Sequence, residues 1–190
     1  SEVVIVEDGP LTPELYQVLE ELEAQSSIPI KRCPLEQNRG LGLALKYGVT
    51  QCQYDVIARM DTDDIAVEDR FEQQFELMET ENLDLLGGHI AEFIDQPDEI
   101  VSYRRVPIKH EDIIVYQRMR SAFNHMTVMF KKEMVLKAGN YEDGLYMEDD
   151  LLWLNMISSG ARTGNVDQIL CKVRVGAGMF ERRGGLRYLK

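Results

Sequence analysis

Val3-Val4-Ile5-Val6-Glu7-Asp8-Gly9-Pro10 is a run of four β-branched residues that stops abruptly in two acids, a glycine and a proline. Consecutive branched apolar residues suit a buried strand, and the Gly-Pro pair ends it in a turn. Thr12 then stands as an N-cap with Pro13 in the first turn, and Leu15, Val18, Leu19 and Leu22 recur at helical spacing. A strand that delivers acids to a turn and is followed by a helix is one unit of an α/β sheet, and the chain repeats it.

Outward from that unit, residues 28–33 form an expected strand, 38–42 a glycine-containing loop and 43–50 a helix. Residues 54–60, with Val56, Ile57 and Met60 apolar, form a strand that runs into Asp61-Thr62-Asp63-Asp64. The spacing predicts a helix over 67–80 with Phe71, Phe75 and Met78 on one face, and a strand over 84–94 that Gly87 and Gly88 loosen. Beyond Pro97 the order is less regular: a helix near 111–120, a short strand at 127–130 and a helix at 132–138. A final helix at 149–159 carries Leu151, Leu152, Trp153, Leu154, Met156 and Ile157, apolar nearly all round, and is expected to be buried. The alternation predicts one α/β domain over 1–190, a Rossmann-like mixed, mostly parallel sheet with helices on both faces. Ligands in that architecture sit beyond the carboxyl ends of the strands, where the turns at Asp8 and Asp61–Asp64 lie.

The formal net charge of -12, from 33 Asp and Glu against 21 Lys and Arg, argues against a nucleic-acid partner, whose phosphates draw affinity from clustered cations. Cys33, Cys52 and Cys171 are odd in number and widely spaced, which suggests neither a disulfide framework nor a zinc site and fits a cytoplasmic protein. No apolar run reaches the roughly 20 residues that span a bilayer.

Asp61 and Asp63, two apart in extended chain, project to the same side and can face one ligand together. Mg²⁺ or Mn²⁺ takes one or two carboxylates and completes its shell with water and phosphate oxygens, so such a pair suits a cation bridging to a diphosphate. Capping of the following helix accounts for the same residues. Asp8 suits a hydrogen bond to a base or ribose hydroxyl, or is a turn residue beside Gly9. Asn38, Arg39 and Gly40 offer backbone N–H groups and a guanidinium to phosphate or nucleoside, or serve as a cap. Glu148-Asp149-Asp150 opens the Trp153 helix; a carboxylate ionised there can take a proton from an attacking hydroxyl, and capping is the other account. His125 is a metal or acceptor contact, or a structural residue.

Taken in order, these segments resemble the family 2 glycosyltransferases. The resemblance is carried by 4–10, Asn38-Arg39-Gly40 with Ala44 and Gly48, and 57–64 with Arg70 and Gln73. It continues in Asn124-His125-Met126-Thr127-Val128-Met129-Phe130, Gly139-Asn140-Tyr141, Glu148-Asp149 with Leu152-Trp153, and 174–185. It covers nearly the whole chain. It implies a GT-A fold, a nucleotide-diphosphate sugar donor (a UDP-sugar) and inversion at the anomeric carbon. Asp8, Asn38, Arg39, Gly40, Asp61 and Thr62 would contact the donor, Asp61 and Asp63 the metal, and Asp149 would be the base with Glu148 beside it. The acceptor would be a saccharide or glycolipid in surface polysaccharide assembly, at the inner face of the membrane with peripheral association. Residues 1–95 would form the nucleotide-sugar half and 96–190 the acceptor and base half. Family members open with a strand and helix before the segment that starts here at Ser1. The resemblance therefore implies that this first unit and the C-terminal end lie outside the chain, with self-association through an exposed sheet edge as a consequence. Two rivals follow from the same residues: a nucleotidyltransferase, and a fragment that binds without turnover.

Overall fold

The computed structural model describes residues 1–143 and 147–176. The strands are β1 (Val3–Glu7), β2 (Ile30–Pro34), β3 (Val56–Ala58), β4 (Ile65–Ala66), β5 (Leu85–Phe93), β6 (Ile100–Arg104), β7 (Met129–Lys131) and β8 (Thr163–Arg174). The helices are α1 (Pro13–Gln25), α2 (Leu41–Gln51), α3 (Arg70–Thr80), α4 (His110–Tyr116), α5 (Lys132–Lys137) and α6 (Glu148–Ser158), with a 3-10 turn at His125–Thr127.

β1 and β2 pair in parallel, Val3 opposite Ile30 through Glu7 opposite Pro34. The other strands form a second sheet in the order β3-β7-β5-β8-β4, with β6 also on β5. Its long pairing is parallel, β5 with β8 from Leu85–Thr163 to Phe93–Arg174, whereas the antiparallel pairings of β3, β4, β6 and β7 are short. The strand pairing is mixed, and the two longest pairings, β1 with β2 and β5 with β8, are parallel, in keeping with the alternation. β6 and β8 are not anticipated by the sequence. β8 lies inside the sheet, between β5 and β4, with Thr163 and Asn165 buried on it. Asn165 Nδ2 donates to the Pro107 and Ala122 carbonyls while its Oδ1 has no partner among the described residues, and Thr163 meets His110.

The main core surrounds Trp153 of α6, fully buried with Leu85, Ile113, Phe123, Phe130, Val135, Tyr141, Leu152 and Met156. α6 is buried on the face that carries Leu152, Trp153 and Met156, whereas Leu154 is exposed, so the burial expected from its all-round apolar sequence holds for one face alone. The amino-terminal unit differs from expectation. β1 is only half buried apart from Glu7, and α1 has no buried residue, with Leu15, Val18 and Leu22 each near half exposed. Among the described residues β1 pairs with β2 alone, so its second edge has no strand to cover it.

α3 also turns a different face inward. Phe71 and Phe75 are half exposed, while Arg70, Gln74 and Met78 are buried. The reason is unpaired backbone acceptors at the strand ends: Arg70 donates to the Arg59 carbonyl, and Gln74 donates to those of Thr127 and Leu86. Leaving such carbonyls buried and unmet would cost more than exposing two rings.

The turn after β1 packs against the loop before α2 so closely that only glycine fits at position 9. Its φ is +95°, and a Cβ there would lie 2.6 Å from the Asn38 backbone nitrogen. Gly9→Ala is expected to destabilise the fold by about 2–4 kcal/mol, the sum of strain and overlap, read as a lower denaturant midpoint with unchanged slope.

Candidate active site

The acids named in the sequence follow the ends of β1 and β3 and open α6. β3 ends at Ala58, and the chain continues through Arg59, whose N–H donates to the Val128 carbonyl, into Asp61–Asp64. Arg59 is buried and grips Asp61 with both terminal nitrogens, Nη1 to Oδ2 at 2.7 Å and Nη2 to Oδ1 at 2.5 Å. Its Nε is buried without a partner among the described residues. The two residues are two apart in extended chain, so one side of the strand end carries both. Asp64 accepts the Arg174 N–H at 3.2 Å, which anchors the turn to the end of β8. Burial, added to by Asp61 and Asp63 nearby, pushes the Asp64 carboxyl up to about 6 against that bond. Asp63 and Thr62 are exposed, and Asp63 has no hydrogen bond or ion pair among the described residues.

Asp8 accepts the backbone N–H groups of Arg39 at 2.7 Å and Gly40 at 3.0 Å, and Asn38 Oδ1 also accepts from Gly40. Asp8 thus ties the end of β1 to the entry of α2. Asn38, Arg39 and Gly40 are exposed. In the first turn of α2, a Cβ on Gly42 would lie 2.6 Å from the Glu142 carbonyl oxygen and 3.5 Å from Glu148 Cβ. The start of α2 therefore abuts the start of α6.

At that start none of Glu148, Asp149 and Asp150 is the N-cap; the cap position is Met147, with no side-chain bond. Gln117 donates to Asp150 at 2.8 Å and accepts the Ala122 N–H, fixing α4 against α6. Asp149, 23% exposed, faces His125, with Oδ2 3.8 Å from Nδ1. Burial first, and then the Asp150 charge, push its carboxyl up to about 6. The buried Tyr141 hydroxyl feels Arg59, Asp149, Glu148 and Asp61 at once, and burial raises its pKa. The charges of Asp149 and Asp61 thus both reach one buried hydroxyl. Arg59 is the residue the sequence argument left out, and His125, weighed there as a metal or acceptor contact or a structural residue, stands instead beside Asp149. The period-two spacing that groups Asp61 with Asp63 places Arg59 beside Asp61 equally well.

No three His, Cys, Asp or Glu side chains converge as a cation cage among the described residues. A cation that takes few protein ligands and several phosphate or water oxygens still fits, with Asp63 the open carboxylate. Asp61 keeps one lone pair on each oxygen beyond its Arg59 bonds, which suits hydroxyl donors.

The model of the family described as Glycosyl transferase family 2 matches residues 1–142. The chain belongs to this family. A glycosyltransferase of Haemophilus influenzae, described as uncharacterized, is 44% identical over all of the chain and 70% of its own length. The amylovoran biosynthesis glycosyltransferase AmsE of Erwinia amylovora is 41% identical over the same shares. The Escherichia coli UDP-Gal:alpha-D-GlcNAc-diphosphoundecaprenol beta-1,3-galactosyltransferase is 36% identical over 99% of the chain and 68% of its own length. Among solved structures, S. aureus TarS 1–349 in complex with UDP-GlcNAc superposes with a TM-score of 0.74 at 15% identity, over 93% of this chain and 50% of that one. The mannosyltransferase PcManGT of Pyrobaculum calidifontis, in complex with GDP-Man and Mn2+, gives 0.68 at 14% over 93% and 48%. The chain spans about half of these solved chains, and their likeness shows the GT-A fold. Membership sets the glycosyltransferase family above the nucleotidyltransferase rival. No helix among the described residues is long and apolar enough to cross a membrane. Of the stretch 174–185 that carries the resemblance, residues 177–185 lie outside the described residues.

Proposed function

We propose that this family 2 glycosyltransferase chain moves a hexose from a UDP-sugar to a hydroxyl of a saccharide or glycolipid, with inversion, in surface polysaccharide assembly. The observation that carries the reading is the Asp149 carboxylate at the start of α6, 23% exposed and 3.8 Å from His125. Burial pushes it up to about 6, and its charge, like that of Asp61, reaches the buried Tyr141 hydroxyl. A base poised just below neutral pH is ionised in the cell yet still basic enough to take a hydroxyl proton as the new glycosidic bond forms. Attack by the acceptor on one face of the anomeric carbon, with the diphosphate leaving from the other, inverts the centre in a single displacement. Pathway and donor are supported by the names of the Erwinia and Escherichia relatives and by the UDP-GlcNAc bound to TarS.

Asp8, Asn38, Arg39 and Gly40 would line the nucleoside side, with Asp61 accepting from ribose hydroxyls. Thr62 would lie beside the diphosphate. A bound Mn²⁺ or Mg²⁺, held by Asp63, would offset charge on the departing diphosphate. Glu148, packed against the Gly42 turn, keeps the base side of the cleft close to the donor side.

Calorimetry with uridine diphosphate on the intact protein tests donor and metal together. Mn²⁺ is expected to tighten binding by about tenfold or more, and Asp63→Ala to remove that gain. Binding indifferent to the metal would reject the cation, and absence of binding would reject the donor.

A further inference from the structure

Asp149, His125 and Tyr141 come from three separated parts of the chain and lie in one line. His125 Nε2 is 2.9 Å from the Tyr141 hydroxyl, and its Nδ1 is the nitrogen 3.8 Å from Asp149 Oδ2. The imidazole is clamped between two aromatic rings, tilted at 5.6 Å from Tyr141 and edge-on at 5.8 Å from Trp153. Tyr141 is wholly buried, and its hydroxyl has no other acceptor among the described residues.

A buried O–H requires an acceptor, and that requirement selects the tautomer. With the ring proton on Nε2, the imidazole donates to the phenol oxygen, the phenol proton is stranded, and the Nδ1 lone pair faces a carboxylate. With the proton on Nδ1, the phenol donates to Nε2 and the Nδ1–H faces the Asp149 carboxylate, so the buried phenol is satisfied and a donor, not a lone pair, stands before the acid. Burial, and Arg59 beside it, hold the imidazole well below its ordinary pKa, so it faces Asp149 as a neutral N–H dipole.

We propose that His125 is a positioning residue for the Asp149 carboxylate, with Tyr141 fixing the tautomer that directs the Nδ1–H toward it. This rests on Asp149 being the base. At 3.8 Å the contact is longer than a hydrogen bond. It closes when substrate fills the cleft, as catalytic contacts that are long in the free enzyme commonly do. One carboxylate oxygen is then fixed, the other is turned to the acceptor hydroxyl, and the ionised form is favoured. The other charged groups facing Asp149 are Glu148 and Asp150 on its own helix, with Tyr141 from the preceding loop; Arg59, from the end of β3, acts on the His125 ring.

The test follows the release or transfer of labelled sugar from UDP-galactose and UDP-N-acetylglucosamine by the intact protein, as a function of pH. UDP affinity is measured alongside. His125→Phe keeps the ring packing without an N–H. His125→Asn places an amide N–H where Nδ1 was, and His125→Gln places it where Nε2 was. His125→Phe and His125→Gln are expected to move the acid limb of kcat/KM up by about one pH unit and to lower kcat about tenfold, with UDP affinity unchanged. His125→Asn should return the limb to its parent position, and Tyr141→Phe should fall between. A parent-like limb in His125→Gln, or equal displacement in Asn and Gln variants, overturns the proposal even if the phenylalanine variant does not fold. Failure of the underlying reading is seen separately, as turnover retained in Asp149→Asn.

Discussion

Asp149→Asn is expected to lower sugar transfer by about 10²- to 10⁴-fold and, at neutral pH, to make the protein more stable. The loss follows from the chemistry, because an amide cannot accept the proton of the attacking hydroxyl, and positioned bases contribute on that scale. The gain follows from linkage. The folded carboxyl releases its proton only near 6, whereas the unfolded one does so at its ordinary 3.8. Between those values the folded state binds more protons, so stability falls as pH rises through that window, and the full cost is present above it. About two pH units correspond to roughly 3 kcal/mol. With the side chain 23% exposed, solvent screening brings the figure toward about 2 kcal/mol. The neutral amide does not incur that cost, and the melting temperature should rise by several degrees at pH 7 with little change at pH 4. UDP affinity should be unaltered. Unchanged turnover would reject Asp149 as the base, and a lower melting temperature at pH 7 would reject the account of its strained charge.

The comparison of sequence with structure is instructive at particular residues. The run into Glu7 and Asp8, the turn at Asp61–Asp64 and the existence of α6 around Trp153 were legible because each depends on local pattern: a branched run, a period of two, an apolar helix. Leu154 nonetheless shows that α6 buries one face and not its whole circumference. β8 was not. Its buried Thr163 and Asn165 read as loop residues until His110, Pro107 and Ala122 supply their partners from elsewhere. α3 misleads in the opposite direction. Phe71, Phe75 and Met78 share a face by spacing, yet the demand of the Arg59, Leu86 and Thr127 carbonyls turns Arg70 and Gln74 inward. No single segment encodes that demand. The His125–Asp149 contact has the same character, since it exists only once the 3-10 turn and α6 pack on the common Trp153 core. Apolar pattern thus located the frame, while the polar contacts that shape the site arise where several elements converge.

Arg59→Met is expected to weaken donor binding and the fold together, and a double variant separates the two effects. Arg59 is buried, Asp61 is 33% exposed, and both of its oxygens are held by the guanidinium. Removing one partner of a buried ion pair typically costs 3–5 kcal/mol through the charge left behind, and partial solvent access to Asp61 reduces this to about 2 kcal/mol. Arg59→Lys keeps the charge but offers one point of contact where two are needed, so Asp61 is no longer fixed in plane. Asp61→Asn removes the stranded charge, so Arg59→Met with Asp61→Asn should recover most of the lost stability, giving a coupling energy of about 1–2 kcal/mol in the cycle. Donor binding should not recover, because the carboxylate oriented by Arg59 is what the ribose hydroxyls would address. Urea denaturation and UDP calorimetry on the four proteins of the cycle decide the matter. Restored UDP affinity in the double variant would show that Arg59 and Asp61 serve the fold alone, whereas stability regained without affinity assigns the pair to holding the donor.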